Sequence, residues 1–152
     1  MKLLLVSTSG GHFSTMQGLK PFWHKHERVW ITDRKKDTEV LVENQEKIHW
    51  LPYQAPRDIL TFLKNLPSVF RIIWTEKPDL VVSTGASLAV GFAIASKLLG
   101  IRFVYIESIS RAQELSVSGK LVYPLCHEFY VQWPTLCNKY TKAKYKGIVY
   151  RS

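Results

Sequence analysis

The sequence is poor in cysteine and in acidic residues. Its only cysteines, Cys126 and Cys137, have no second Cys/His pair at metal-binding spacing, and an intracellular chain rarely uses a disulfide, so we expect two buried thiols. No metal site and no cofactor are expected. Twelve Asp and Glu against 21 Lys and Arg leave a formal net charge of +9, which attracts nucleic acid, anionic lipid headgroups or phosphorylated substrates.

The basic residues are not arranged for stacking on nucleic acid. They concentrate at residues 34–36 and 139–146, without the recurring Arg, Gly and aromatic pattern of single-strand binders. We therefore expect no nucleic-acid partner. The expected partner of the excess positive charge is then a membrane surface or a phosphorylated substrate.

Long apolar runs are also missing. Only four apolar residues separate Lys2 from Ser7, which is too few for a secretory signal, so we expect a cytoplasmic protein. The longest uncharged run, residues 80–96, contains a small-residue turn and is better explained by a buried strand, a turn and a helix than by a membrane span. Linkers, repeats and low-complexity tracts are absent, which predicts a single domain over residues 1–152.

Seven short apolar segments alternate with segments that permit helices. Their apolar residues are nearly continuous, which is typical of strands buried on both faces. The alternation predicts an α/β fold, a Rossmann-like parallel sheet with helices on both faces. The predicted strands are residues 3–6, 29–32, 48–51, 80–83, 103–106, 129–131 and 148–150.

The turn after the first predicted strand is the most informative motif. Ser9, Gly10 and Gly11 lead into a helix expected to begin near Phe13, and the free N–H groups of a helix N-terminus attract phosphate. His12 ends the turn, and an imidazole with an ordinary pKa of about 6.5 can accept a proton at neutral pH. The motif predicts proton transfer beside a phosphate, and a tight turn with a capping histidine is the alternative.

Two further loops are expected beside this turn, because ligands of such sheets bind beyond the carboxyl ends of the strands. Thr84 and Gly85 form a small-residue turn that either offers N–H groups to a ligand or packs a helix closely. Glu107 ends the fifth predicted strand, and a buried carboxylate needs a partner. It either binds sugar hydroxyls or pairs with Arg111; Arg111 and Lys120 alternatively neutralise a diphosphate.

Residues 57–77 are unusually rich in apolar side chains. Apart from Asp58, the interspersed charges are basic as far as Arg71, which is typical of a surface that dips into an anionic leaflet. The alternative is a pair of helices packed on the sheet and broken or kinked at Pro67. Both hold if one stripe faces the core and another faces lipid. The predicted membrane contacts are Phe62, Phe70 and Trp74.

Five stretches, in this order and spacing, carry a resemblance to a known family. They are Ser9-Gly10-Gly11-His12, Val82-Ser83-Thr84-Gly85-Ala86, Tyr105-Ile106-Glu107-Ser108 with Arg111, Leu115-Ser116 followed by Ser118-Gly119-Lys120-Leu121-Val122-Tyr123, and Val131-Gln132-Trp133-Pro134. The sequence resembles the acceptor-side subunit of the split glycosyltransferases, namely asparagine-linked glycosylation protein fourteen and its bacterial counterparts in exopolysaccharide and capsule synthesis. The bacterial branch is the closer resemblance.

The resemblance implies a GT-B glycosyltransferase divided into two polypeptides. This chain would be the N-terminal Rossmann half, which meets the membrane and a polyprenyl-diphosphate-linked saccharide. A donor-binding subunit would hold the UDP-sugar, and only the pair would be active, peripherally on the inner face of the cell membrane. The partner is expected along the cleft loops and residues 145–152. The predicted interface residues are Gln132, Trp133 and Tyr150, although a Trp there also serves plain packing.

The resemblance also implies roles for individual residues. His12 would be the general base for the acceptor hydroxyl, and Glu107 the second candidate for base or acceptor orientation. Relatives commonly have a small residue and Asp in place of Cys126-His127, and eukaryotic members begin with a spanning helix that this sequence lacks. The predicted acceptor- and phosphate-binding residues are Ser9, Gly10, Gly11, Thr84, Gly85, Ser108 and Arg111.

Two other functions compete with this interpretation. The chain could be a membrane recruiter with all catalytic groups on the partner. Alternatively it could bind a dinucleotide, because Asp33 follows the glycine turn by about 20 residues, where a ribose-binding acid would lie. The turn lacks the G-x-G-x-x-G spacing, and Phe13 would crowd a pyrophosphate, which argues against the dinucleotide.

Overall fold

A computed structural model describes residues 1–150 of the chain. Arg151 and Ser152, which end the predicted domain and the predicted partner segment, lie outside the described residues. The strands are β1 Lys2–Ser7, β2 Glu27–Thr32, β3 Ile48–Trp50, β4 Leu80–Gly85, β5 Arg102–Ile106, β6 Glu128–Val131 and β7 Ala143–Tyr145. The helices are α1 Gly11–Gly18, α2 Lys20–Trp23, α3 Val40–Glu43, α4 Ile59–Glu76, α5 Leu88–Leu99, α6 Val117–Val122 and α7 Leu136–Lys139, with a 3-10 turn at Asp37–Glu39.

All seven strands form one parallel sheet in the order β3-β2-β1-β4-β5-β6-β7. This confirms the predicted α/β class. The strand order reverses between β1 and β4, so the crevice between their carboxyl ends is the expected ligand position of such a sheet. The glycine turn follows β1, and the turn at Gly85 follows β4, so both flank this crevice.

The two faces of the sheet are covered unequally. On one face α4, α5 and α6 enclose the larger core around Phe92, Phe103 and Phe129. On the other face α1 and α2 enclose a smaller core in which Trp23 meets Trp30 edge-on, with ring centroids 5.1 Å apart. No helix covers β5 and β6 on this second face in the described chain, and an open groove remains there.

The prediction for the seventh strand is wrong. The strand is β7 Ala143–Tyr145, and residues 148–150 have no regular structure. Lys144 and Tyr145 are exposed on this edge strand, so its sequence lacks a continuous apolar run. Gly147 turns the chain with a φ of +107°, and the apolar residues 148–150 line the groove on the second face.

The prediction of a pair of helices broken at Pro67 is also wrong, because α4 runs unbroken from Ile59 to Glu76; a kink at Pro67 stays a prediction. A proline at this position leaves the carbonyl of Leu63, four residues earlier, without its helical donor. Both residues are exposed, so water can replace the missing N–H. Asp58 caps the helix by accepting a 3.0 Å hydrogen bond from the Thr61 amide, and the left-handed Lys77 ends it.

The cysteines differ from each other. Cys126 is buried, as predicted, and burial raises the pKa of its thiol, whereas Cys137 is only half-buried. At the amino edge of the sheet, the buried carboxylate of Glu76 accepts hydrogen bonds from Lys2, Lys47 and His49 at 2.9, 2.9 and 2.6 Å. Burial alone would raise the pKa of Glu76, but these donors outweigh it and lower the pKa to about 2.

Candidate functional site

The imidazole of His12 joins the two loops at the crevice. Its Nδ1 lies 2.9 Å from the carbonyl oxygen of Thr84, and the Thr84 hydroxyl donates a 2.6 Å hydrogen bond to the His12 carbonyl. The Thr8 amide donates to the Gly85 carbonyl at 3.0 Å. The structure therefore brings His12 next to Thr84 and Gly85, which follow it by more than 70 positions in the sequence.

The hydrogen bond at Nδ1 decides the tautomer of His12. A carbonyl oxygen can only accept a hydrogen bond, so Nδ1 carries the proton and donates a hydrogen bond to the Thr84 carbonyl. The Nε2 atom of the neutral ring then keeps its lone pair. The side chain is half-buried, and no hydrogen bond from another residue among positions 1–150 occupies Nε2. This arrangement suits a proton acceptor.

Gly85 shapes the space around that ring. Its φ is +110°, and a Cβ built on it would lie 2.7 Å from the His12 Nδ1. Such a distance is not compatible with any side chain unless the imidazole moves. Sequence reasoning placed Gly85 in ligand binding, and the structure adds a packing role against His12 that no local motif indicates.

Two carboxylates hold the glycine turn. The buried Asp33 accepts from both the amide and the hydroxyl of Ser9, each at 2.7 Å, and Asp37 accepts from the Gly10 amide at 2.7 Å. These amides are therefore already bonded within the chain. No side chain caps α1, so the amides of its first turn, starting at Gly11, are the ones directed at the crevice. Sequence reasoning missed Asp37 entirely, because its contact depends on the packing of two loops.

The contacts of Asp33 also bear on the dinucleotide alternative. Both of its carboxylate oxygens bond to Ser9, whereas ribose recognition would need them free. The carboxylate acts within the fold, as an anchor for the turn that carries His12.

Glu107 is fully buried, and its carboxylate is saturated by its own loop. It accepts from the Ser108 amide at 2.9 Å and from the amide and hydroxyl of Ser116 at 3.0 and 2.9 Å. The Ser116 hydroxyl in turn accepts from the Gly119 amide, which caps α6. A Cβ at Gly119 would lie 2.2 Å from the Glu107 carboxylate. Within the described residues Glu107 forms no ion pair with Arg111, so that alternative does not occur.

We call residues 108–116, which lie between β5 and α6, the β5–α6 loop. Ser108 is half-buried, and its hydroxyl lies 2.9 Å from that of Ser110. The guanidinium of Arg111 is exposed at the rim of the loop. Lys120, the other predicted diphosphate ligand, lies 3.2 Å from the Glu114 carboxylate. Arg111 therefore remains the better cation for an anionic ligand in this loop.

The predicted membrane contacts occupy different positions on α4. Trp74 is 69% exposed, whereas Phe62 and Phe70 are half-buried, Phe62 facing Gly91 of α5 and Phe70 facing the larger core. Sequence reasoning missed Leu60 and Leu63, which are 72% and 53% exposed. Helical spacing places these two leucines with Trp74 on one outward stripe, flanked by Lys64 and Arg71. Within residues 1–150, every helix is too short or too polar to cross a bilayer.

The three predicted interface residues are likewise divided. Gln132 is only 3% exposed, and both ends of its amide bond to backbone atoms of this chain. Trp133 is partly exposed and donates from Nε1 to the Ile109 carbonyl at 2.5 Å, while Tyr150 is 83% exposed. Tyr150 lies at the wall of the open groove, which has a volume of about 790 Å³.

The groove is apolar at its floor. Its floor comes from strands β4, β5 and β6, its walls from the α1–α2 junction and residues 146–150, and its rim carries Lys20 and Lys146. The floor residues include Leu80, Val82, Val104, Ile106 and Tyr130.

The parallel sheet and the position of the crevice define the class of the fold. Its structural neighbours are the N-terminal Rossmann-like halves of GT-B glycosyltransferases and epimerases. One of them is Acinetobacter baumannii MurG, which superposes with a TM-score of 0.73 at 17% sequence identity. The superposition covers 88% of this chain and 42% of the MurG chain. The family model "Oligosaccharide biosynthesis protein Alg14 like" matches residues 52–149. The chain belongs to the Alg14-like family.

Named relatives agree with that assignment. The human UDP-N-acetylglucosamine transferase subunit ALG14 is 40% identical over 97% of this chain and 82% of its own length. The subunit of the same name from Yarrowia lipolytica is 29% identical over 81% of this chain. The chain covers 61% of the length of the Yarrowia protein and less than half of MurG. Family membership supports a glycosyltransferase subunit; an exopolysaccharide branch has no support from these relatives.

Proposed function

We propose that the chain is the acceptor-side subunit of a two-component glycosyltransferase. A donor-binding partner holds a UDP-sugar, and the pair transfers the sugar to a polyprenyl-diphosphate-linked saccharide in polysaccharide biosynthesis, of which exopolysaccharide and capsule are the candidates. The observation that carries the proposal is the His12 imidazole, whose Nδ1 is bonded to Thr84 and whose Nε2 is left to accept a proton at the crevice. Because the human relative is named for UDP-N-acetylglucosamine, that donor is the first to test.

In the proposed step, the acceptor hydroxyl attacks the anomeric carbon of the donor sugar. The new glycosidic bond forms as the bond from that carbon to the UDP oxygen breaks, and UDP leaves with the electron pair. His12 Nε2 takes the hydroxyl proton, while Thr84 keeps the ring oriented. The diphosphate of the acceptor lies near the first-turn amides of α1 and Arg111, since the Ser9 and Gly10 amides already bond to Asp33 and Asp37.

Glu107 has a positioning role in this proposal. Its fully buried carboxylate accepts hydrogen bonds from Ser108 and Ser116, the two ends of the β5–α6 loop. Ser108 and Arg111 remain the acceptor-binding candidates of that loop.

Attachment to the membrane would use the outer stripe of α4. Leu60, Leu63 and Trp74 are exposed along one face of a helix about 27 Å long, with Lys64 and Arg71 beside them. An apolar stripe with a basic flank is suited to lie in the plane of an anionic leaflet. The opposite stripe of the same helix packs in the core, so the arrangement that we propose has one stripe of α4 facing the core and the other facing lipid.

The donor-binding partner would dock in the open groove. Its floor is an uncovered sheet face, and its wall includes the exposed Tyr150. Lys20 and Lys146 make its lining net basic, since the one carboxylate there, Glu128, is paired with Lys144 at 3.0 Å. The matching occupant is an apolar helix of the partner with acidic residues at its edges.

The first experiment compares the chain alone with the pair. The chain is co-purified with the products of neighbouring genes, and transfer from radiolabelled UDP-N-acetylglucosamine to membrane lipid extract is measured. We expect activity only from the pair. Activity of the chain alone, or the lack of any stable partner, would contradict the two-subunit proposal.

The role of His12 is tested in the active pair. His12→Ala should lower kcat by about 10²- to 10⁴-fold, the usual contribution of a general base, with partner binding unchanged. His24→Ala, an exposed histidine at the end of α2, is the matched control and should be fully active. Normal turnover of His12→Ala would instead support the membrane-recruiter alternative.

A further inference from the structure

The buried side chain of Gln132 connects two segments that are far apart in the sequence. Its Nε2 donates a 3.0 Å hydrogen bond to the carbonyl of Glu107, and its Oε1 accepts a 2.8 Å hydrogen bond from the amide of Val149. The residue is 3% exposed, so water does not compete for these bonds. Both partners are backbone atoms, and the bonds therefore depend on where the two segments lie.

Each of those segments borders a different proposed site. Glu107 is the first anchor of the β5–α6 loop, which the residues after β6 hold at two more points. Trp133 Nε1 donates to the Ile109 carbonyl at 2.5 Å, and the Thr135 hydroxyl donates to the Ala112 carbonyl at 3.2 Å. Val149, at the other end, lines the open groove, as Gln132 itself does. Gln132 is thus a direct side-chain link between the crevice and the groove, beside the backbone bond from the Glu107 amide to the Tyr130 carbonyl.

We propose that Gln132 is a positioning residue that couples docking of the partner in the groove to binding of the acceptor at the crevice; this inference rests on the proposed function. If a partner shifts residues 146–150, the Gln132 amide either follows or leaves a buried backbone group unpaired. An unpaired buried polar group is costly, so the two segments move together. Because coupling between two binding sites is reciprocal, the acceptor strengthens partner binding by the same factor as the partner strengthens acceptor binding.

Two variants separate the two halves of the link. Gln132→Met has nearly the same shape and no hydrogen-bonding amide, so it breaks both bonds. Gln132→Glu in its ionised form still accepts from the Val149 amide but cannot donate to the Glu107 carbonyl. Because burial and the facing carbonyl raise the pKa of a carboxyl at this position, this variant is compared at pH 6 and pH 9: the protonated acid should behave like the wild type, and the form at the higher pH tests the broken bond. Glu76→Gln weakens the fold at the opposite edge of the sheet and is the control for general destabilisation.

The first readout is amide hydrogen exchange of the full chain without a partner. Gln132→Met should speed exchange in both residues 108–116 and residues 146–150. Gln132→Glu at pH 9 should speed it only in the first segment, and Glu76→Gln in neither. Unchanged exchange in either segment of Gln132→Met, or equal acceleration in Glu76→Gln, would overturn the proposal whether or not the chain proves to be a transferase subunit.

The second readout uses the active pair with farnesyl-diphosphate-linked N-acetylglucosamine as acceptor probe. Gln132→Met should raise the acceptor KM by about tenfold, which corresponds to about 1.4 kcal/mol, while kcat changes by less than about threefold. The acceptor should tighten partner binding in the wild-type chain and not in Gln132→Met. An equal acceptor effect on both chains refutes the coupling, whereas a wild-type pair with no transferase activity refutes the proposed function.

Discussion

Replacing Gly85 with alanine tests whether the catalytic geometry depends on the contact between the β4 turn and His12. The new Cβ would lie 2.7 Å from the His12 Nδ1, which is about 1 Å inside ordinary contact, so the ring must move. Moving the ring breaks its 2.9 Å hydrogen bond to the Thr84 carbonyl, which fixes the tautomer of the imidazole and orients it. The positive φ of +110° adds a backbone cost of about 1–3 kcal/mol.

Gly100 supplies the matched control. It has a φ of +73° at the end of α5, and a Cβ there would meet no atom within 4 Å. Gly100→Ala therefore carries a left-handed backbone cost of about 1–2 kcal/mol without touching the site. Both variants carry backbone strain, but only Gly85→Ala displaces His12. A difference in kcat between them therefore measures the effect of displacing His12.

We expect both variants to lower the melting temperature, and only Gly85→Ala to lower kcat of the pair, by about 10²-fold or more. The double variant His12→Ala/Gly85→Ala should be no slower than His12→Ala, because both changes remove the same base. Transfer assays and thermal denaturation measure the two effects separately. If Gly85→Ala is as active as Gly100→Ala, the geometry of His12 does not depend on this contact. Additive losses in the double variant would likewise show that Gly85 acts independently of His12.

Two further predictions concern stability and membrane binding. The pKa of Glu76 is lowered to about 2, against about 4.3 in an unfolded chain, so its stabilisation is present above pH 5 and is lost as the pH falls toward 2. Glu76→Gln should lower the free energy of unfolding by about 2 kcal/mol at pH 7. The difference in stability between this variant and the wild type, measured by thermal denaturation, should become smaller as the pH falls. A difference that does not change with pH would contradict this prediction. The double variant Leu60→Ser/Leu63→Ser should weaken binding to anionic vesicles in a sedimentation assay by about tenfold or more. Leu98 is similarly exposed on α5, and Leu98→Ser should bind like the wild type. Equal binding of both variants and the wild type would exclude the outer stripe of α4 as the membrane contact.

Local pattern was sufficient for most of the fold. Strands buried on both faces appear as continuous apolar runs, and six of the seven predicted strands overlap observed ones. The prediction for residues 148–150 was wrong because β7 is an exposed edge strand, and the apolar residues beyond Gly147 face a groove. The break predicted at Pro67 did not occur: Pro67 and Leu63, whose carbonyl loses its helical donor, are both exposed residues of α4, where water can take the place of that donor.

The candidate site was predictable only as a set of loops. A parallel sheet brings the carboxyl ends of its strands to one edge, and His12, Thr84 and Glu107 were placed there for that reason. Which of them faces the crevice depends on packing: His12 keeps a free Nε2, while Glu107 turns inward to Ser108 and Ser116. Gln132 looked like a surface residue beside Trp133, yet it is buried because its amide has backbone partners on both sides.

The α/β class, the order of the elements and the motif that contains His12 follow from the sequence alone, because apolar periodicity and glycine turns act over a few residues. The tautomer of His12, the inward direction of Glu107 and the anchoring of the glycine turn by Asp33 and Asp37 depend on the tertiary structure. Each of these depends on a hydrogen bond or a close contact between segments distant in the chain. Such contacts form because the parallel sheet places the loops after its strands side by side at one edge, and no local sequence pattern predicts them.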